Sequence, residues 1–303
     1  MARSARIISV QIIAVLLLCS FGVAQEAPVR PSFEIASVKL NKSADQTFAN
    51  FPLGPGDVYS SNGGHFTARG HPLVSYLFFA YKITGDQSAA VLSQLPGWAS
   101  TDRFDIEAKT DGDPAKDTKD QMRLMMQSLL ADRFGLKAHY ETKEVPVFAL
   151  TLAKPGKTGP QLRAHPADAP CSTAIPSAAA GFAATVDGGF PELCGGFLGM
   201  TPAMPGRFRM GARNVTIDFI GTHLISNFLN RPVIDRTGLS GKFDVVVEFS
   251  PEVNGPGAGD FQPDPNGPTF LEALSEQLGL KAESQKGPVQ VLVIDHVDHP
   301  TEN

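Results

Sequence analysis

Apolar and polar positions along the chain fall into two periods. Phe104, Ile106 and Ala108 alternate with Asp105 and Glu107, the period of a half-buried strand. Phe243, Val245, Val247 and Phe249 keep the same alternation, with Val246 adding burial. Helical spacing takes over elsewhere. Leu73, Tyr76, Leu77 and Ala80 share one face after Pro72, a good first-turn residue. Ile217, Ile220 and Leu224 form a matching stripe, with Asn214 or Thr216 as the cap. A longer stripe runs through Met122, Met125, Met126, Leu129, Leu130 and Phe134, and its counterpart through Phe270, Leu271, Leu274 and Leu278. Methionines at this spacing predict core packing rather than a soft ligand site. Gly135 and Gly279 stand where a helix C-cap glycine belongs. Each is followed by Leu-Lys-Ala, a polar turn, Pro-Val and an apolar run, a pattern read as a hairpin.

These elements come in two similar sets. Gly135-Leu136-Lys137-Ala138 returns as Gly279-Leu280-Lys281-Ala282, 144 residues on, and Ala68-Arg69 returns as Ala212-Arg213 at the same offset. "DRFDIEAK" at 102–109 faces "GKFDVVVE" at 241–248, and the Pro146-Val147 run faces Pro288-Val289. Blocks in the same order predict an internal duplication of a strand-helix-strand-helix-hairpin unit. Neither strands nor helices could bury their apolar sides alone, so the fold class is α+β, with helices packed on a mixed or antiparallel sheet. The expected divisions are a signal peptide at 1–24, an N-terminal lobe at 25–153, a Pro/Gly/Ala-rich linker with both remaining cysteines at 154–205, and a C-terminal lobe at 206–303.

The leader follows from Arg3 and Arg6, the apolar run from Ile7 to Leu18, and small residues at Gly22–Ala24. That run is short for a span of about 20 residues, and no later segment is apolar enough to cross a bilayer. Cleavage near Gln25 takes 26 basic residues to 24 and the net charge from -5 to -7. An acidic chain argues against nucleic acid or an anionic membrane as partner. Export permits a disulfide between Cys171 and Cys194, worth about 3 kcal/mol in the loop-entropy picture. A reactive thiol or a metal pair is the alternative, without His, Cys or acidic support at ligand spacing.

The sequence holds no nucleophile elbow, zinc-protease motif, P-loop or dinucleotide-binding glycine pattern. Ser75, Ser128 and Ser226 lie on helix patterns rather than on sharp turns. Histidines cluster only at Ile294–Pro300, where Asp295, His296, Asp298 and His299 read as a polar tail and not as a metal site. Asp105, Glu107, Asp244 and Glu248 read as solvated groups on strand faces. Trp98, the one tryptophan, with Tyr81 and Phe78, marks an expected apolar ligand groove. No cofactor is expected, and the catalytic residues, if any, are unknown.

"FEIASVKLN", "LPGWASTDRFDIEAK", "LLADRFGLKAHYETKEVPVFALTLAK", "NRPVIDRTGLSGKFD" and "GLKAESQKGPVQVLVIDHVDHPTEN" together resemble an uncharacterised family of secreted soil-bacterial proteins, expanded into paralogues in Acidobacteria. The resemblance covers the mature chain. It implies export to the periplasm or beyond, and a sensing or interaction role, because related domains occur on membrane peptidases of the antibiotic-sensor type. It supplies no catalytic residues. The function expected is a non-enzymatic binding module whose partner is an envelope protein or a small ligand. The alternative is an extracytoplasmic hydrolase acting on envelope polymers. At the level of fold alone, the repeated strand-helix-strand unit is similar to the small N-terminal domains of secretins and TonB-dependent receptors.

Overall fold

The computed structural model describes residues 30–43, 45–56, 62–110, 118–172, 185–186, 189–252 and 261–300. The expected leader at 1–24 lies outside them. The N-terminal half runs β1 (Phe33–Asn41), β2 (Phe48–Ala49), β3 (His65–Pro72), α1 (Leu73–Ala80), α2 (Gly85–Leu92), α3 (Trp98–Thr101), β4 (Arg103–Thr110), α4 (Lys119–Phe134) and β5 (Lys137–Leu152). Three short strands and a fourth follow: β6 (Leu162–Ala164), β7 (Thr185–Val186), β8 (Phe190–Pro191) and β9 (Leu198–Met200). The C-terminal half runs β10 (Phe208–Val215), α5 (Ile217–Ile220), a wide π-helical turn Gly221–Ile225, α6 (Ser226–Leu229), β11 (Val233–Asp235), β12 (Phe243–Phe249), α7 (Phe270–Ala273), a second π-helical turn Leu274–Leu278, and β13 (Leu280–His296).

Two four-stranded antiparallel sheets share one plan, ordered β1-β4-β3-β2 and β6-β12-β10-β9. Alternation sets which side faces the helices. Phe66, Ala68, Phe104 and Ile106 are buried against Leu73 and Leu77 of α1 and Met122, Met126 and Leu130 of α4. Ala212, Val245 and Val247 are buried against Ile217, Ile220 and Leu224 on one side and Leu274 and Leu278 on the other. Within the α7 stripe Leu271 departs from expectation: it is 49% exposed, and Ala273 takes the inward position.

Each sheet contains the same irregularity. The β3–β4 register breaks between Ala68, opposite Ile106, and His71, opposite Phe104. The β10–β12 register breaks between Ala212, opposite Val245, and Val215, opposite Phe243. One residue in each bulge is left-handed, Gly70 at φ 69° and Asn214 at φ 55°. Its N–H donates to an aspartate on the facing strand, Gly70 to Asp105 at 2.8 Å and Asn214 to Asp244 at 3.1 Å. These two aspartates are therefore bulge anchors rather than solvated strand-face groups, and Asp244 is 7% exposed.

The two expected hairpins are not hairpins. β5 and β13 are single strands of 16 and 17 residues. They pair antiparallel with each other from Leu280 opposite Leu152 to His296 opposite Lys137. The polar stretches that read as turns stay extended because each finds its hydrogen-bond partners on the other strand. β11 adds to β5 in parallel, giving the order β11-β5-β13. Each long strand leaves the half it starts in. β5 ends with Leu150 in the second core, and β13 ends with Leu292 in the first. The helix ends feeding them are as expected: Gly135 and Gly279 are left-handed at φ 56° and 68°.

The segment expected to be a linker does more than connect. It supplies β6 and β9, the two outer strands of the second sheet. No helix among the described residues is long and apolar enough to cross a membrane.

Candidate functional site

Two features stand out, one where the halves meet and one on the C-terminal sheet. The first is a cleft of roughly 330 Å³. Segment 52–56 and the start of α2 line it from the N-terminal half; 193–198 and the α5 region line it from the C-terminal half. One wall is an aromatic stack, Phe197 on Phe219 at 5.8 Å and 13°, and Phe219 on His223 at 4.1 Å and 25°. The stack is helical in origin: Phe219 and His223 are four apart, one turn along a helix whose first N–H groups Thr216 caps. Lys119 also lines the cleft, 4% exposed, with its ammonium donating to the Gly56 carbonyl.

The second feature surrounds the disulfide, which is formed between Cys171 and Cys194 as expected. His165 follows β6, and its Nδ1 lies 2.7 Å from Asp244 Oδ1. The other ring nitrogen, Nε2, is 3.7 Å from Cys171 Sγ. Asn214 Nδ2 approaches the same sulfur at 3.6 Å. Arg213 Nε stands 3.5 Å from Asp244 Oδ2, and another of its nitrogens donates to the Pro170 carbonyl. The side chains of His165, Asp244 and Arg213 are 6%, 10% and 7% exposed. Cys194 is buried and Cys171 is exposed. Cys171 thus has histidine support after all, from a residue six positions earlier, and His165 in turn has acid support from Asp244 on β12. His165, Cys171 and Cys194 hold their potential ligand atoms within 4.8 Å of one another. As a disulfide the two sulfurs carry no thiolate, so the oxidised group is not a metal-binding set.

The expected groove residues do not converge on either feature. Tyr81 lines a separate hollow of roughly 650 Å³ beside α4 and the start of β5, with its ring edge-on to Tyr140 at 6.4 Å. Burial pushes the Tyr81 hydroxyl pKa up. Trp98 is half-buried in the first core, edge-on to Phe104 at 6.4 Å and to His299 at 4.9 Å. Phe78 packs against that core too. Neither Trp98 nor Phe78 lines the Tyr81 hollow.

The C-terminal histidines go to separate acids. His296 pairs with Asp298 at 2.8 Å and His299 with Asp102 at 3.0 Å. Asp295 reaches across to His139 at 2.8 Å, and its hydrogen bond, with a second from Glu141, holds the His139 pKa above the usual 6.5. Ser226, set aside as a nucleophile, is buried and donates to the Thr222 carbonyl and to Asp86.

A family model described as "Protein of unknown function (DUF3738)" matches residues 74–297. The chain belongs to this family. No match was found among curated proteins or among solved structures. The DUF3738 match begins within α1 and ends just past β13, so it takes in both long strands, the cleft wall and the disulfide.

Sequence reading did not find the His165–Asp244 pair. The two are 79 residues apart and joined only through the β6–β12 pairing. A partial signal was present: the Phe-Asp dipeptide recurs in both halves, and in both the aspartate anchors a bulge.

Proposed function

We propose that this DUF3738 protein is an exported, non-enzymatic binding module of the cell envelope or its surroundings, built by duplication of one α+β unit. Its ligand is a small molecule with a flat apolar part, held in the cleft between the halves. The observation that carries this reading is the cleft itself. It is of small-ligand size, mostly apolar, and walled by the Phe197–Phe219–His223 stack, with a basic group in its lining. The matching sheet order and the matching bulges support the duplication. The disulfide and the expected leader support export.

The test is a thermal-shift screen of the mature protein against small-molecule fractions of the native envelope. A true ligand raises the melting temperature of the wild type, and Phe219→Ala lowers its affinity about tenfold while the unliganded protein still melts cooperatively. Ligands that stabilise Phe219→Ala as well as the wild type would overturn the cleft assignment. Sequencing the N-terminus of protein recovered from the periplasm or medium should find a start near Gln25.

The hydrolase alternative draws on the buried His165–Asp244 pair. A hydrolase needs a nucleophile or an activated water before Nε2. The atom facing that nitrogen is a disulfide sulfur, which directs the pair toward sulfur chemistry instead.

A further inference from the structure

We propose that Cys171–Cys194 is a redox-active disulfide, with His165 and Asp244 as the groups that hold its reduced Cys171 as a thiolate. The site would exchange electrons with protein or small-molecule dithiols, a function beyond ligand binding in the cleft.

The comparison between the two halves is what points there. Both sheets need an aspartate to anchor the bulge. In the first half Asp105 Oδ1 takes the Gly70 N–H at 2.8 Å and the Asn41 side-chain amide at 2.7 Å. Asn41 ends β1, opposite Arg103. His165 follows β6 at the matching place, donating its backbone N–H to the carbonyl of Lys242. The fold's structural requirement is thus met by a neutral amide in one half. In the other half the same position holds a titratable ring, the left-handed glycine is replaced by Asn214, and both turn a nitrogen to Cys171 Sγ. A disulfide that served only to tie a loop would need none of these groups.

The geometry has a direction. With Nδ1–H donated to Asp244, His165 presents its Nε2 lone pair to Cys171 Sγ. Asp244 and Arg213 are the charged groups packed about the ring, with Arg213 Nε 3.5 Å from the second carboxylate oxygen. Exposure is asymmetric in the useful sense, because Cys171 is open to attack and Cys194 is buried.

A thiolate of the incoming dithiol attacks Cys171 Sγ, and the Cys171–Cys194 bond breaks with its electron pair on Cys194, which takes up a proton. The second thiol of the dithiol attacks the first, forming the substrate disulfide and releasing Cys171 as a thiolate. Two electrons pass from dithiol to protein. Of the two protons released, one rests on Cys194 and one on His165 Nε2, where the imidazolium pairs with the Cys171 thiolate and with Asp244. In the reverse sequence the Cys171 thiolate attacks a substrate disulfide, which is reduced to the dithiol as Cys194 closes the protein disulfide again.

The test uses the full mature chain. After reduction with dithiothreitol and its removal, iodoacetamide alkylation of Cys171 is followed against pH, with the modified site located by mass spectrometry. The expected midpoint lies about two pH units below the free-cysteine value of about 8.5. His165→Asn should return it to the ordinary range and cut the rate at pH 6 at least about tenfold. An ordinary midpoint in the wild type overturns the proposal. A second measurement does not depend on the variant folding: equilibration of the wild-type disulfide with glutathione buffers. Opening in glutathione buffers supports the proposal, and a disulfide that stays closed even in reduced glutathione alone overturns it.

Discussion

At the scale of single residues, the polar groups that matter here are the ones that hold backbone. Asp105 satisfies an inward-facing N–H at the Gly70 bulge and the amide of Asn41. Asp105→Ala leaves both without that acceptor and should cost about 1–3 kcal/mol in urea unfolding, whereas the exposed Arg69–Glu107 pair one strand position away should cost under about 1 kcal/mol when broken. His71, next to the same bulge, carries a pH signature. Burial holds its imidazole below the usual pKa of 6.5, the Arg103 charge adds to this, and a hydrogen bond with the Phe48 backbone opposes it. The folded pKa is lower than the unfolded one, so the unfolded chain takes up the proton first. Stability from this group is fully present above 6.5 and is lost as pH falls from there through the lower folded pKa. His71→Gln should flatten that part of the stability curve measured by denaturant titration at stepped pH. Sequence made the residue types visible, but a solvated strand-face aspartate and a bulge anchor have the same alternation, and only the facing strand tells them apart.

At the scale of elements, the helices were legible and the long strands were not. α1 and α4 announce themselves by apolar spacing, and the capping box of Thr118 with Gln121 and the left-handed Gly135 delimit α4. α2 had an equally clear signal, the Thr84 and Gln87 capping box, which its small hydrophobic stripe obscured. β5 and β13 were misread as hairpins because their middle residues are exposed, so no alternation marks them as strand. The two C-cap glycines now separate. A Cβ at Gly135 would meet only the Asp298 carboxylate end, at 2.9 Å, which can swing away. A Cβ at Gly279 would lie 2.5 Å from the Gly159 nitrogen and 2.9 Å from the Thr158 carbonyl carbon, which are backbone. Gly135→Ala should therefore cost about 1 kcal/mol for the left-handed conformation alone. Gly279→Ala should cost clearly more, because the turn at 157–159 must move, and chemical denaturation of the pair checks the order.

At the scale of the molecule, the crossing of β5 and β13 ties two cores into one cooperative unit. Leu150 is fully buried in the second core although it belongs to a strand that begins in the first half. Trp98, the only tryptophan, packs against the first core and reports on it. Leu150→Ala should cost about 2–5 kcal/mol and lower the Trp98 fluorescence midpoint together with the circular-dichroism midpoint. If the fluorescence midpoint stays at its wild-type value while the other falls, the halves are independent. The repeated blocks made two similar halves legible in the sequence. Their interlocking was not, because pairing between strands so far apart leaves no local trace.

That interlocking also sets an order in time. The first core closes only when Leu292 arrives, with Ile294 and Val297 packed beside it. On a ribosome adding about 5–20 residues per second, the wait between completing β5 and delivering Leu292 is roughly 7–30 s. Until then the nascent N-terminal half lacks Leu292 in its interior. A truncation that removed Leu292 and Ile294 would spoil a core otherwise built from the first half of the chain.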